Sequence, residues 1–162
     1  VNYYLKDASK SEELLLKVMG AQLTGTEGNI KRYKFGKEAS ESFVDIQEDP
    51  ETPRGINGAG TVHHIAWRTA NDEEQNNWRN KVIEFGLYPT EMVDRNYFHS
   101  IYFREPGGIL YEIATDGPGF MVDETFESLG TELKLPPWHE PKRPLIEKIL
   151  IPLKTKSFVK QN

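Results

Sequence analysis

An internal repeat constrains the fold of this chain more than any other feature of its sequence. Gly86 follows Gly20 by 66 residues, and each glycine closes a helix-like segment. At a similar offset, Phe43–Ile46 aligns with Leu110–Ile113. Each copy has the pattern of a strand, a helix and three strands, which predicts an α+β fold of two βαβββ modules. Since neither copy can bury its sheet face alone, we expect the two to pair into a cupped mixed sheet.

The first module is predicted over residues 1–48. It opens with a strand, Val1–Leu5, and its helix is expected to begin at a capping box formed by Ser9 and Glu12. Three strand-like runs follow, in which polar and apolar residues alternate in the manner of a half-buried strand. They are Ala21–Thr26, Ile30–Phe35 and Ser42–Gln47.

A loop rich in Pro and Gly over residues 49–60 is the predicted linker to the second module, which is predicted over residues 61–116. The second module opens with an apolar strand, Thr61–Arg68, and its helix is expected to be capped by Asp72 together with Gln75. Its last three strands are predicted at Tyr88–Asp94, Phe98–Arg104 and Ile109–Thr115. Residues 117–162 are predicted to form a C-terminal tail with a short helix.

The composition excludes several classes of function. A net charge of −5 argues against a nucleic-acid partner, which normally requires a basic surface. No apolar run approaches the roughly 20 residues needed to cross a bilayer, so no membrane association is expected. The chain has no cysteine, so any metal must be held by His, Asp or Glu. These features are typical of a cytoplasmic protein.

Two adjacent histidines, His63 and His64, lie in the predicted first strand of the second module. Because side chains alternate across a strand, we expect the two imidazoles to point to opposite faces, and only one of them can serve a given site. A lone strand histidine is more often a hydrogen-bonded structural residue than a ligand. The remaining histidines, His99 and His139, are expected to be solvent-exposed rather than ligands.

Glu112 lies at the centre of an apolar strand, where a carboxylate is rare unless it is paired or bound to a metal. An ion pair with Arg95 or Arg104 is the structural alternative to a metal. If the Pro-Gly-Gly turn before this strand forms a three-residue hairpin loop, Tyr102 lies opposite Glu112 on the same face. A histidine and a carboxylate on two strands of one sheet suit a divalent first-row metal, and His64 is the candidate partner.

The repeat, with His near the start of one strand and Glu in the last, resembles the vicinal oxygen chelate superfamily, which includes glyoxalase I, bleomycin-resistance proteins and extradiol dioxygenases. The stretches Gly60–Trp67, Asp94–Phe120 and Leu135–Trp138 are similar to the C-terminal half of bacterial ring-cleaving dioxygenases of the hydroquinone type. This resemblance runs from about Asp7 to Leu153, which is nearly the whole chain.

The resemblance implies a dioxygenase that uses Fe(II) or Mn(II) and O₂ to cleave hydroquinone- or catechol-like aromatics. It implies that His64 and Glu112 are metal ligands. It also implies that His63, Arg95 and Tyr102 line the substrate pocket, where a cation stabilises negative charge and a histidine or tyrosine carries a proton.

The chain departs from this pattern in the third metal ligand, which in related proteins comes from the first strand of a partner module. Aligning Val1 with Ile65 places the counterpart of His64 one residue before Val1. The resemblance therefore implies that an N-terminal half, or a second chain in a homodimer, completes the site. Two alternatives stay open. One is a glyoxalase-like isomerase or lyase that uses Asp45 as a further ligand, and the other is a metal-free small-molecule-binding module.

Overall fold

The structure is a computed structural model that describes residues 1–37 and 40–152. The chain divides into a compact unit over Val1–Val122 and a second unit that begins at Asp123. Within the described ranges, no helix is long and apolar enough to span a membrane.

The first unit contains the two predicted βαβββ modules, and the α+β fold is confirmed. Each module forms a four-stranded mixed sheet, with strand orders β1-β4-β3-β2 and β5-β8-β7-β6, in which the β1–β4 and β5–β8 pairs are parallel. The first module comprises β1 Asn2–Leu5, α1 Ser9–Lys17, β2 Gln22–Glu27, β3 Ile30–Phe35 and β4 Ser42–Glu48. The second comprises β5 Ile65–Thr69, α2 Asp72–Glu84, β6 Val93–Asp94, β7 Phe98–Arg104 and β8 Leu110–Pro118. The predicted short helix of the tail is α3, Arg143–Ile149.

The two long helices begin differently from the predicted pattern. Asn71 caps α2 by accepting a hydrogen bond from the backbone N–H of Glu74, so the cap lies one residue earlier than the predicted Asp72. The capping box predicted for α1 does not form, because no side chain caps this helix. Glu12 instead binds Lys31 of β3 through both carboxylate oxygens, at 2.8 and 2.9 Å. An ion pair between the helix and the sheet therefore replaces the local cap.

The two modules share one hydrophobic core. The Tyr3 and Tyr111 hydroxyls are 2.9 Å apart across the module boundary, and burial raises the pKa of Tyr3 to about 12. The rings of Phe35 and Trp67 are 4.6 Å apart between their centroids. The buried apolar residues come from both modules, namely Tyr3, Leu5, Ala8, Leu14, Leu15, Ala21, Tyr33, Phe35, Val44, Ile46, Val82, Ile101, Phe103, Tyr111 and Ile113. Each module therefore supplies the apolar surface that its partner needs.

A tight turn between β7 and β8 sets the register of the second sheet. The backbone N–H of Gly108 donates to the carbonyl of Glu105 at 2.8 Å, and Gly108 has a φ of 94°, which suits glycine. The resulting antiparallel register places Tyr102 directly opposite Glu112, as predicted from the hairpin. The two side chains therefore share the sheet face that points away from the core.

Candidate metal centre

Glu112 is a buried carboxylate with three hydrogen-bonding partners, and it forms the centre of the site. It is 4% exposed. Its Oε1 accepts from the hydroxyl of Ser100 at 2.6 Å and from the hydroxyl of Tyr102 at 2.5 Å. Its Oε2 lies 2.8 Å from Nε2 of His64. These contacts offset the cost of removing a carboxylate from water.

The expected arginine partners of Glu112 do not bind it. Within the part of the chain that the structure describes, no arginine lies within ion-pair distance of its carboxylate. Arg104 instead donates to the carbonyl of Gly108 at 2.9 Å. Arg95 lies over the ring of Tyr102, 5.7 Å from its centroid. An ion pair with arginine therefore does not explain the burial of Glu112.

His63 and His64 lie just before β5 rather than inside it, because the ladder with β8 begins at the pair Ile65 and Tyr111. The expectation that the two imidazoles point to opposite faces is therefore wrong. Their Nδ1 atoms are 2.9 Å apart, and the ring of His64 lies between His63 and Glu112. A proton on Nδ1 of His64 that is donated to His63 would leave Nε2 free to bind a metal.

Tyr102 and Arg95 form the edge of the site. Burial, and then the hydrogen bond to Glu112, raise the pKa of Tyr102, which keeps the phenolic proton between the two side chains. Arg95 is exposed and its guanidinium faces the Tyr102 ring. Four residues that the sequence analysis singled out thus lie together around Glu112 in the structure, namely His63, His64, Tyr102 and Arg95. Arg95 is the outermost of them.

Sequence reasoning missed Ser100, which is fully buried and binds Glu112 directly. Ser100 lies two residues before Tyr102 in β7, so both side chains point to the same face of the sheet. Once Tyr102 and Glu112 had been paired, strand alternation would have identified Ser100 as a further neighbour.

The other two histidines lie in different environments. His99 is partly exposed, and its Nδ1 is 2.7 Å from the carboxylate of Asp72. His139 is exposed, in the second unit, and its backbone N–H donates to the carbonyl of Pro136.

His64 and Glu112 fit two ligand positions of a divalent metal. Two ligands about 2.1 Å from one metal and at right angles to each other are about 3 Å apart, which is close to the 2.8 Å between Nε2 of His64 and Oε2 of Glu112. Among residues 1–37 and 40–152, no group of three His, Asp or Glu side chains could hold a metal ion. A metal held by His64 and Glu112 would therefore need at least one further ligand beyond the described residues.

The corresponding carboxylate of the first module, Asp45, is engaged differently. Both of its oxygens accept hydrogen bonds from the guanidinium of Arg32, at 2.7 and 2.8 Å. These bonds are the main reason why the pKa of Asp45 lies below its usual value. Asp45 is thus already neutralised by a cation of the protein itself.

No protein-family model matches the sequence. A protein of Bacillus subtilis named "Putative ring-cleaving dioxygenase MhqO" is 46% identical over 149 residues, which are 92% of this chain and 47% of the relative. The "Chlorohydroquinone/hydroquinone 1,2-dioxygenase" of Sphingobium indicum is 40% identical over 121 residues, which are 70% of this chain and 36% of the relative. The chain spans less than half the length of these relatives.

Solved structures show the same relationship. The crystal structure of a "putative dioxygenase" from Bacillus subtilis matches with a TM-score of 0.89 and 43% identity, over 96% of this chain and 49% of the other. A lactoylglutathione lyase from Agrobacterium tumefaciens matches 71% of this chain and 90% of its own, with a TM-score of 0.55 and 18% identity, which shows the fold alone. This chain has the vicinal oxygen chelate fold and is related, over about half their length, to bacterial proteins named ring-cleaving dioxygenases.

Proposed function

We propose that this chain is one half of a metal-dependent, extradiol-type ring-cleaving dioxygenase that acts on hydroquinone- or catechol-like aromatics. The observation that carries this proposal is the pair formed by Nε2 of His64 and Oε2 of Glu112, which lie 2.8 Å apart. The names of the relatives, one of which is a chlorohydroquinone/hydroquinone dioxygenase, support the choice of reaction and substrate.

His64 and Glu112 would hold Fe(II) or Mn(II), which share a preference for nitrogen and oxygen ligands. The metal, when bound, supplies the redox chemistry that lets O₂ react with an aromatic ring. The third protein ligand would come from another module, either in a second copy of this chain or in a half that corresponds to the unmatched part of the relatives.

The other residues of the site would orient these ligands and the substrate. His63 contacts Nδ1 of His64 and would fix the orientation of its ring, as outer hydrogen bonds do for metal-bound histidines. Arg95 places a positive charge beside Tyr102, where it would attract a phenolate oxygen. His63 is exposed and Tyr102 is half-buried, so either can exchange a proton with a phenolic substrate.

Two alternative functions make different demands on the chain. A glyoxalase-like isomerase or lyase with a further carboxylate ligand would require Asp45 to be free, but Arg32 occupies both of its oxygens. A metal-free binding module would ignore chelators and would tolerate the loss of His64.

Oxygen consumption tests the proposal. The chain is loaded anaerobically with Fe(II), alone and fused to the unmatched half of MhqO, and is then given hydroquinone or catechol together with O₂. We expect O₂ uptake with a ring-opened product, lost in His64→Ala and Glu112→Gln and retained in the control Asp45→Asn. Absence of uptake in both forms, or uptake that survives Glu112→Gln, would contradict the proposal.

A further inference from the structure

We propose that Ser100 is a positioning residue that makes Glu112 bind its metal through one oxygen, Oε2. This inference rests on the proposed metal site. Ser100 is 0% exposed, and its hydroxyl lies 2.6 Å from Oε1 of Glu112. Because Ser100 is enclosed by the protein, it is not exposed to a substrate that arrives from solvent. We therefore infer that its role is to hold another side chain.

The two oxygens of Glu112 have unequal environments. Oε1 accepts two hydroxyl donors, from Ser100 and Tyr102, which fill the two lone-pair positions of a carboxylate oxygen. Among the described residues, Oε2 has one partner, Nε2 of His64. Binding a metal through both oxygens would require Oε1 to give up a buried hydrogen bond, which is costly. Ligation through Oε2 alone keeps both hydroxyl bonds and leaves one more coordination position open to other ligands.

The sheet places Ser100 for this contact. Ser100 pairs with Ala114 across β7 and β8, while Tyr102 pairs with Glu112. The side chain of Ala114 is a single methyl group, so the hydroxyl of Ser100 can reach diagonally along the face to Glu112. The contact therefore follows from the strand register and from a small residue opposite Ser100.

Ser100 and Tyr102 both donate a hydrogen bond to Oε1 of Glu112, but they differ in their exposure to solvent. Tyr102 is half-buried and stands beside the exposed Arg95, so its hydroxyl is the one that a substrate oxygen can engage. Ser100 is enclosed and keeps Oε1 occupied whether or not Tyr102 turns away from Glu112. The buried hydroxyl thus fixes the ligating oxygen, while the partly exposed one stays free to serve the substrate.

The first module lacks this arrangement. Its register pairs Arg32 with Asp45 and Ile30 with Gln47, so Ile30 occupies the position that corresponds to Ser100. Isoleucine cannot donate a hydrogen bond. The hydroxyl donor is therefore present in the module with the proposed metal site and absent from the same position of the module whose carboxylate is neutralised by arginine.

The test compares wild type with Ser100→Ala, and with Ser42→Ala as a matched control at an exposed strand position. Mn(II) is titrated anaerobically by calorimetry, and the carboxylate stretching bands of the Mn(II)-loaded proteins are recorded by infrared spectroscopy with ¹³C-labelled glutamate. We expect Ser100→Ala to lose affinity by about 10-fold and to narrow the splitting between the two stretching bands, as ligation through both oxygens does. Ser42→Ala should match wild type.

Unchanged affinity and unchanged band splitting in Ser100→Ala would overturn the role of Ser100. If wild type binds no Mn(II), either alone or fused to the unmatched half of MhqO, the proposed function fails rather than this inference, and a metal-free crystal structure of Ser100→Ala then decides. In that structure we expect the carboxylate of Glu112 to turn so that Oε2 no longer faces Nε2 of His64. A carboxylate that keeps its orientation with Tyr102 alone would overturn the proposal.

Discussion

The two modules carry a carboxylate at the same register position and use it in opposite ways. Asp45 lies beside Asn2 of the parallel first strand, and Glu112 lies beside Ala66 of its counterpart. Asp45 is held by the guanidinium of Arg32 through both oxygens. Glu112 receives two neutral hydroxyl groups on one oxygen and a histidine on the other, and it is more deeply buried.

The difference shows that the residue facing the carboxylate decides its use. That residue is Arg32 in the first module and Tyr102 in the second, each directly across an antiparallel pair. A cationic partner cancels the charge of Asp45 within the protein. A hydroxyl donor orients Glu112 without cancelling its charge, which leaves the charge available to a bound cation. The residue on the middle strand is therefore one of the differences between a self-neutralised face and a candidate metal site.

The largest effect is expected from making the second module resemble the first. Tyr102→Arg should place a guanidinium on Glu112, as Arg32 does on Asp45, and lower Mn(II) affinity on the order of 100-fold or more. Anaerobic calorimetry measures the affinity, and circular dichroism checks that the protein folds. The control Tyr102→Phe adds no charge beside Glu112, and its Mn(II) affinity should fall by only about 10-fold. If Tyr102→Arg binds Mn(II) with the affinity of wild type, the comparison between the two modules would be contradicted.

A smaller effect is expected at the boundary between the modules. Tyr111→Phe removes the hydrogen bond to the Tyr3 hydroxyl in the shared core and should lower the free energy of unfolding by about 1 kcal/mol. Urea denaturation followed by fluorescence measures this change. The control Tyr88→Phe alters a side chain that is 94% exposed and should have no effect. Two separate transitions instead of one would show that the modules do not share a cooperative core.

The smallest effect is expected from removing the cation of the first module. In Arg32→Ala the pKa of Asp45 should rise toward its ordinary value, because the guanidinium bonds are the main cause of its depression. Since the pKa of the folded state is lowered, the ion pair stabilises above the unfolded pKa of about 4, and this contribution is lost as the pH falls through the lowered folded value. The loss of stability should be slight, as is usual for exposed ion pairs.

Carboxyl titration by ¹³C NMR measures that shift. The control Arg68→Ala breaks a similar two-contact ion pair with Asp116 in the second module. It should raise the pKa of Asp116 and leave that of Asp45 unchanged. If the pKa of Asp45 stays low in Arg32→Ala, the ion pair with Arg32 is not what neutralises this face.

Much of the fold could be predicted because local sequence signals and long-range pairing agree. The repeat gave both modules, and the turn closed by Gly108 gave the register that pairs Tyr102 with Glu112. The capping box of α1 was mispredicted because Glu12 is engaged by Lys31, which is distant in sequence. No local pattern carries information about such a partner.

The site was predictable only in part. Glu112 stands out as a carboxylate in an apolar strand and His64 as one of two adjacent histidines, whereas Ser100 is an ordinary small residue whose contact depends on the register. The contact between His63 and His64 was not predicted because residues 61–64 were interpreted as strand. In the structure the ladder between β5 and β8 begins at the pair Ile65 and Tyr111, so residues 61–64 lie outside it.

The most direct test of the central claim is anaerobic Mn(II) calorimetry on three proteins, namely wild type, Glu112→Gln and Asp45→Asn, each alone and fused to the unmatched half of MhqO. Both variants replace a carboxylate with an amide at the same register position of a module. The account predicts that Asp45→Asn binds Mn(II) as wild type does, whereas Glu112→Gln loses affinity on the order of 100-fold or more. Equal binding by wild type and Glu112→Gln, or a loss confined to Asp45→Asn, would contradict it.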